Sequence, residues 1–594
     1  MTKEDRLFEM NRRQFLLASG AAFSTAWVLG ACDSENPHGN NGNNVNNLPD
    51  ADVDGDTGDL VDADADADAD ADAEVPLPRP VTTVRETIVG QLEAVPHFED
   101  LRSLFGVTRK GPGEPHLDRD DLGAGAVATG QAATLSSLAY FAHMTDIHIV
   151  DEESPARSIH SPIASASAWR PHEPWSVHNL NAAITTINAF AEVRPHDFIV
   201  FSGDLTDNKH FVELDWFLRV MEGLPIDPDT GSDQDPLPSG LPDPHDPFTG
   251  VGLHPALKWY CVQGNHDLLV LGNFDTMSFA VADPTGSQAT VLISDSVVPT
   301  CFDEPVCVGG FCYSETPARC HIPFSDEYYT TRGLVADPDR HFIDRVEWIQ
   351  MVMGATRNGP PGHGFNNDNV VEGRSYWVDP EPVPGLPVAL VGLDTSSAGG
   401  VAATANGYMP QAELDWLQET LDDLVADDKL IVIISHHCSR DVGDKADALV
   451  AMLNACPNVV LHITGHHHTH EVYPHPAPSG QEPWHGYWEV QNCGLLDWPQ
   501  QIRFWELVDR GDGTGVIYST IVNSEQPEGS VVAGCRFYAL ADVQEGRSDD
   551  GEGPGLAEAR NVALRVAWPP AMIPVLAALP KRDVETLHFY DEGR

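Results

Sequence analysis

Five short apolar runs, each closing on an aspartate, asparagine or histidine, constrain this chain more than any other feature it has. The sharpest is Asp197-Phe198-Ile199-Val200-Phe201-Ser202-Gly203-Asp204-Leu205-Thr206-Asp207. Four apolar residues in a row read as a strand buried on both faces, and Ser-Gly-Asp reads as a tight turn that sets Asp204 at its carboxyl end. Ligands bind at that end of the strands in open α/β sheets. A carboxylate there has two oxygens and can serve two cations, so the other strand ends must be searched for the remaining donors.

Four supply them. Ala139 to Met144 leads to Asp146-Ile147-His148, and Leu257 to Val262 leads to Gly264-Asn265-His266-Asp267. Leu430 to Ile434 leads to His436-His437, and Val459 to Thr464 leads to Gly465-His466-His467-His468. This mixture of oxygen and nitrogen donors suits zinc, manganese or iron better than calcium. The ordered series Asp146-x-His148, Gly203-Asp204-x-x-Asp207, Gly264-Asn265-His266-Asp267, His436 and Gly465-His466-x-His468 resembles the calcineurin-like metallophosphoesterase superfamily over roughly residues 136–525.

That resemblance implies an α/β fold, a four-layer α/β/β/α sandwich of two mixed sheets flanked by helices, holding two divalent or trivalent transition-metal ions (Mn, Fe or Zn). One ion is expected on Asp146, His148, Asp204 and His468, and the other on Asp204, Asn265, His436 and His466. The implied activity is phosphatase or phosphodiesterase hydrolysis, with a hydroxide bridging the ions as nucleophile. By the same resemblance His266 lies outside the ligand shell as a catalytic residue at the phosphoryl or leaving-group oxygen, while Asp207 and Asp267 orient neighbouring groups. His437, His462, His467 and His470 read as rim, substrate-contacting or merely exposed residues, the last being favoured.

Some departures narrow the choice. The fourth motif lacks the proline that often follows its histidines and reads His436-His437-Cys438-Ser439-Arg440. Purple acid phosphatases carry a tyrosine three residues after the bridging aspartate, where this chain has Asp207, so the chain is not expected among them. A metallo-β-lactamase-like hydrolase would need an Asp-His continuation that His466-His467-His468-Thr469-His470 lacks. A catalytically silent surface lipoprotein that uses the same fold as a binding module is the alternative from another class.

The amino-terminal part is read separately from the fold. Asn11-Arg12-Arg13-Gln14-Phe15-Leu16 and the short apolar stretch after it look like a twin-arginine export signal, and Leu29-Gly30-Ala31-Cys32 resembles a bacterial lipobox. Residues 1–32 are thus expected to engage the twin-arginine translocase and to leave Cys32 lipidated, tethering an exported protein to the cell envelope on its periplasmic or cell-surface side. Residues 33–78 have 14 acidic side chains and no Lys or Arg, so they bury no core and extend as a tether. Asp50-x-Asp52-x-Asp54-Gly55 opens like a calcium loop, but Val61 stands where the bidentate Glu belongs. Beyond the tether, from Val75, 73 acidic against 30 basic residues remain, which disfavours a nucleic-acid substrate.

Residues 79–535 are assigned to the catalytic domain, with insertions at about 226–255 and 268–387. The first contains Asp227-x-Asp229-x-Gly231-x-Asp233-x-Asp235, a candidate calcium loop that reads better as a solvated acidic loop. The second carries Cys301, Cys307, Cys312 and Cys320, disulfide candidates in an exported protein, and is expected to wall the site. Helical spacing marks 178–193, 211–224 and 409–423. Strands are expected at 487–491, 502–508 and 515–522, completing the second sheet, and a helix at 556–566 within a carboxyl-terminal extension, 536–594.

Overall fold

The computed structural model describes residues 81–90, 108–130, 134–156, 170, 172–230, 243–273, 285, 335–396, 405–544 and 553–591, with strand backbones at 288–292, 306–308, 311–313 and 329–333. The chain divides into Met1–Glu74 and Val75–Arg594. The first unit lies outside the described residues, and with it the export-signal pattern, Cys32 and nearly all of the acidic tether. Cys301, Cys320, Asp233 and Asp235 also lie outside them, whereas Cys307 and Cys312 are Cα partners in a short antiparallel pair. Among the described residues no helix is long and apolar enough to cross a membrane.

Thirteen strands build two large mixed sheets. In chain order they are β1 (Leu117–Arg119), β2 (Ser136–Met144), β3 (Phe198–Phe201), β4 (Trp259–Cys261), β5 (Trp377–Asp379), β6 (Val388–Gly392) and β7 (Leu430–Ile434). They continue as β8 (Val459–Thr464), β9 (Glu471–His475), β10 (Tyr487–Gln491), β11 (Gln501–Asp509), β12 (Thr514–Asn523) and β13 (Val562–Ala567). The seven-stranded sheet has the order β1-β13-β12-β11-β2-β3-β4, and the six-stranded sheet β5-β6-β7-β8-β10-β9. In the first, β2, β3 and β4 run parallel; in the second, β6, β7, β8 and β10 do.

The layering follows from side-chain alternation. Val388, Leu390, Val432 and Ile434 join the core shared with the seven-stranded sheet. Their neighbours Ala389, Val391, Ile431 and Ile433 pack instead on Leu414, Leu417 and Leu421 of the helix Gln411–Ala426 and on Leu449 and Leu453 of the helix Ala446–Ala455. Ser176–Ala191 is the crossover between parallel β2 and β3 and buries Leu180, Ala183, Ile184 and Ile187, as its spacing required. Phe211–Glu222 is the next helix, held at its start by a capping box of His210 and Glu213. The inner strands β6 and β7 are therefore buried on both faces, which is why they read as unbroken apolar runs.

Three expectations need correction. β11 and β12 do not complete the second sheet: only β10 does, while β11 pairs with β2 in the first. The segment 556–566 is a 3-10 turn, Ala557–Ala559, followed by β13. Its Val-Ala-Leu-Arg-Val-Ala run favours helix by residue type, but the long β12 offers a partner that overrides that preference. Since β13 sits between β1 and β12, the sheet extends past residue 535. Finally, the later part of 268–387 belongs to the fold rather than to a wall: Trp348, Ile349 and Val352 of the helix Arg345–Gly354 are in the main core, and β5 closes a sheet edge.

Candidate metal centre

The carboxyl ends of β2, β3 and β4 meet those of β7 and β8, which brings all five motifs together. The turns after β2 and β3 are zipped by Asp146 N–H to Gly203 O at 3.1 Å, His148 N–H to Asp204 O at 3.0 Å and Ile149 N–H to Leu205 O at 3.0 Å. The glycine before a ligand has a steric reason. A Cβ on Gly264 would lie 2.0 Å from Asp204 Oδ1, and one on Gly465 would lie 2.6 Å from Asp146 Oδ2. Five site residues adopt left-handed backbone: Asp146 (φ 51°), His148 (45°), Asp204 (50°), His466 (77°) and His468 (53°). Such outliers gather where surrounding structure forces them, commonly at functional sites.

Three imidazoles are aimed in the same way. His148 Nδ1 lies 2.9 Å from Asp207 Oδ1, while His468 Nδ1 donates to Asp497 Oδ2 at 2.6 Å and His436 Nδ1 to the Ser202 carbonyl at 2.9 Å. With Nδ1 carrying the proton, each Nε2 turns a lone pair inward. His148 Nε2 and His468 Nε2 are 3.1 Å apart, and His468 Nε2 is 3.1 Å from Asp146 Oδ1. His436 Nε2 is 3.1 Å from Asp204 Oδ2 and 3.0 Å from Asn265 Oδ1. Asn265 spends its amide N–H on Gly272 O at 3.0 Å, so its oxygen faces the centre.

The donors form two overlapping lobes, Asp146/His148/His468 and Asp146/Asp204/His436, with Asp204 also grouped with His148 and His266. Half-buried His466 joins His436 and His437. Two lone pairs at 3.1 Å repel unless a positive charge lies between them, and the remaining donors are carboxylates and an amide oxygen. This set fits two cations of the transition series. The buried carboxylates and imidazoles also shift one another's pKa values. Burial works to raise Asp204, but His436 and His266 hold it down at about 2, and burial works to lower His436, but Asp204 and Asp146 push it up to about 9. Burial takes His148 down to about 4 and lowers His466 well below the ordinary imidazole value.

His266 N–H binds Asp204 Oδ1 at 2.8 Å, and its Nδ1 donates to the Asp207 carbonyl at 2.8 Å, which leaves Nε2 as the working atom. Its ring stands edge-on to His148 at 4.6 Å. Asp267 braces two turns at once: Oδ1 accepts from Leu205 N–H and Thr206 N–H, each at 3.0 Å, and Oδ2 from Gly264 N–H at 2.8 Å.

The other histidines take structural places. His437 Nε2 donates to Ala405 O at 3.1 Å and Nδ1 pairs with Thr395 Oγ1 at 3.0 Å, so neither nitrogen offers the centre a lone pair. His467 binds Asp441 at the rim. His462 and His470 are fully buried rather than exposed, held by Ser435 and by Gln501 and Arg503. Asp227 is exposed and Asp229 half-buried, and neither joins a cluster of three metal-ligating groups among the described residues. The sequence reading missed Asp497, although Leu495-Leu496-Asp497 follows β10 as the other ligands follow their strands. It also missed Arg170, which carried only the weak signal of a cation between Trp169 and Pro171 in an acidic chain.

Two mixed sheets meeting at an Asp/Asn/His centre define an α/β protein built to hold metal at its strand ends. The model of the calcineurin-like phosphoesterase family matches residues 139–470, spanning all five motifs. The chain belongs to that family, whose chemistry is metal-dependent phosphoester hydrolysis. Among solved structures, a dimetal phosphatase from Danio rerio is 11% identical, with 66% of this chain and 100% of that chain covered at a TM-score of 0.33. Comparison with curated proteins finds no match.

Proposed function

We propose that this protein is a binuclear phosphoesterase acting on a phosphomonoester or phosphodiester outside the cytoplasm, exported by the twin-arginine route and tethered through Cys32. The observation that carries the hydrolase reading is the convergence of three Nδ1-anchored imidazoles on carboxylate oxygens and Asn265 Oδ1. Asp146, His148, Asp204 and His468 would hold one ion, and Asp204, Asn265, His436 and His466 the other; manganese, iron and zinc fit this donor chemistry. When bound, two such ions supply positive charge to the phosphoryl oxygens and activate water at neutral pH.

The protein's own groups do the rest. Asp207 and Asp497 keep His148 and His468 in one tautomer and one orientation, so the inward lone pairs need no rearrangement. Asp204 and the Asp207 carbonyl fix His266 from both its backbone and its ring, so Nε2 presents or takes a proton at a substrate oxygen. The carboxylates of Asp146 and Asp204 repel a naked phosphate, which makes substrate binding dependent on metal. The export pattern and lipobox support placement in the envelope, and the acidic chain supports a small phosphoester over nucleic acid.

The test is hydrolysis of chromogenic phosphomonoesters and phosphodiesters by the soluble chain from Val75, with metal measured on the same sample and Asn265→Ala and His266→Ala as controls. Two transition-metal equivalents with turnover lost in both variants support the proposal, and the ratio of the two rates assigns mono- or diester preference. Metal-loaded protein inert to both substrates would favour the binding-module role.

A further inference from the structure

Arg170 is fully buried at the back of the metal centre, where it touches the pair of carboxylates behind two ligands. Its Nε donates to Asp497 Oδ1 at 2.8 Å and its Nη1 to Asp207 Oδ1 at 3.2 Å. Asp497 holds His468 Nδ1 and Asp207 holds His148 Nδ1, so one guanidinium joins two carboxylate–imidazole pairs whose Nε2 atoms meet 3.1 Å apart. Arg170 is itself fixed. Its N–H donates to Glu173 Oε1 at 2.7 Å at the head of the turn Glu173–Trp175, which runs into the crossover helix Ser176–Ala191. His172 Nε2 adds a second contact to Asp497 Oδ1 at 3.3 Å.

We propose that Arg170 is a positioning residue that bridges Asp207 and Asp497 and so sets His148 and His468 as a single unit, tuning one of the two metal lobes and leaving the other alone. The bridge is a matter of shape as well as charge. A planar guanidinium presents donors in a rigid fork and holds two carboxylates in a fixed relation, whereas a lysine ammonium is a point charge on a flexible stem. The second lobe has its own supports, since His436 hangs on the Ser202 carbonyl and Asn265 on the Gly272 carbonyl.

This inference rests on the metal-centre reading, and the experiment separates the two. Manganese or zinc is titrated calorimetrically into the chelator-treated chain from Val75, as wild type, Arg170→Lys, Arg170→Gln and Asp497→Asn, with near-ultraviolet circular dichroism recorded on each apo-protein. Wild type should show two binding events. In folded Arg170→Lys, one event should weaken by about 10–100-fold, the usual effect of losing an outer-shell partner, and the other should stay within about threefold. Asp497→Asn should weaken the same event, and combining it with Arg170→Lys should add less than the product of the two effects because both act through one bridge. Equal weakening of both events, no change in either, or failure of both Arg170 variants to fold would overturn the proposal and leave Arg170 a packing residue. A wild type that binds no metal would instead sink the metal-centre reading itself.

Discussion

Replacing Glu489 with glutamine tests whether the scaffold behind His436 is held by charge. Glu489 lies on β10, 2% exposed, beside its sheet neighbour His462. Oε1 accepts from Ser439 N–H at 2.8 Å, Oε2 accepts from Ser439 Oγ and from His475 Nε2 at 2.7 Å, and His462 Nδ1 stands 3.8 Å from Oε2. Ser439 is three residues beyond His436, so this carboxylate fastens the loop that carries a metal donor. Burial works to raise its pKa, but His475, His462 and Ser439 together bring it from 4.5 down to about 2.

The sign follows from that depression. A carboxylate more acidic in the folded chain than in the unfolded one contributes stability above the unfolded pKa and loses it as pH falls towards the folded one. At about 1.4 kcal/mol per pKa unit, the shift corresponds to about 3 kcal/mol at neutral pH. About 2 kcal/mol of this should be gone by pH 3. Glu489→Gln keeps the shape and removes the charge. Urea unfolding of both proteins from pH 7 to pH 3 should give a gap of about 3 kcal/mol at pH 7 that narrows to about 1 kcal/mol at pH 3. A gap that does not change with pH, or that is below about 0.5 kcal/mol at pH 7, would refute the argument that the ionised form is what holds Ser439.

Three further outcomes can be checked. His266→Asn should lower kcat by about 10²–10⁴-fold while metal content, read by atomic emission, stays at the wild-type value, because His266 works on substrate oxygens rather than on the ions. Asp267→Ala strands the buried N–H groups of Leu205, Thr206 and Gly264. At about 1–3 kcal/mol for each it should destabilise the chain by several kcal/mol in urea melts, and a loss under about 1 kcal/mol would show that the turns do not depend on it. Trp348→Ala should cost about 3–5 kcal/mol, since Trp348 is fully buried in the main core; a near-neutral change would mean that the segment before β5 is an appendage after all.

The strand ends were legible because each couples an unbroken apolar run to a glycine and a donor. The run reports burial on both faces, and the glycine reports that a ligand oxygen occupies the space of a Cβ, as at Gly264 and Gly465. Helices with one buried stripe, such as Ser176–Ala191, were legible for the same reason of periodicity. What stayed hidden depended on partners distant in sequence. Asp497 orients His468 because β10 delivers it there, and its place after a strand does not by itself reveal that partner. Arg170 bridges residues 37 and 327 positions away. β13 carries residues that form helices readily, and it became a strand because β12 had an open edge. The histidines of the series could be separated only by hydrogen-bond acceptors: His436 Nδ1 meets a carbonyl and frees Nε2, whereas His437 Nε2 itself meets one.

The site also carries a cost that no motif reveals. Asp146, His148, Asp204, His466 and His468 all hold positive φ. For L-residues that conformation costs roughly 1–2 kcal/mol each, less for Asp than for bulkier side chains, so the five together oppose folding by about 5 kcal/mol or more. Burying carboxylates beside imidazoles adds to it, against a net stability of only about 5–15 kcal/mol for a typical domain. Cations that bind these same residues in the folded chain and not in the unfolded one offset that cost. At a free metal concentration a thousandfold above Kd the stabilisation is about 4 kcal/mol for each ion, about 8 kcal/mol for two. For a folded unit of some 500 residues that is about 8 °C in melting temperature. Chelator treatment of the metal-loaded chain should therefore lower its melting temperature by about that amount, and added manganese or zinc should restore it in proportion to the logarithm of concentration. Calcium should not, because it prefers a shell of oxygens and four of the donors here are imidazole nitrogens. Melting that is indifferent to chelation, or restored by calcium as well as by zinc, would show that these strained strand ends are held by protein contacts alone.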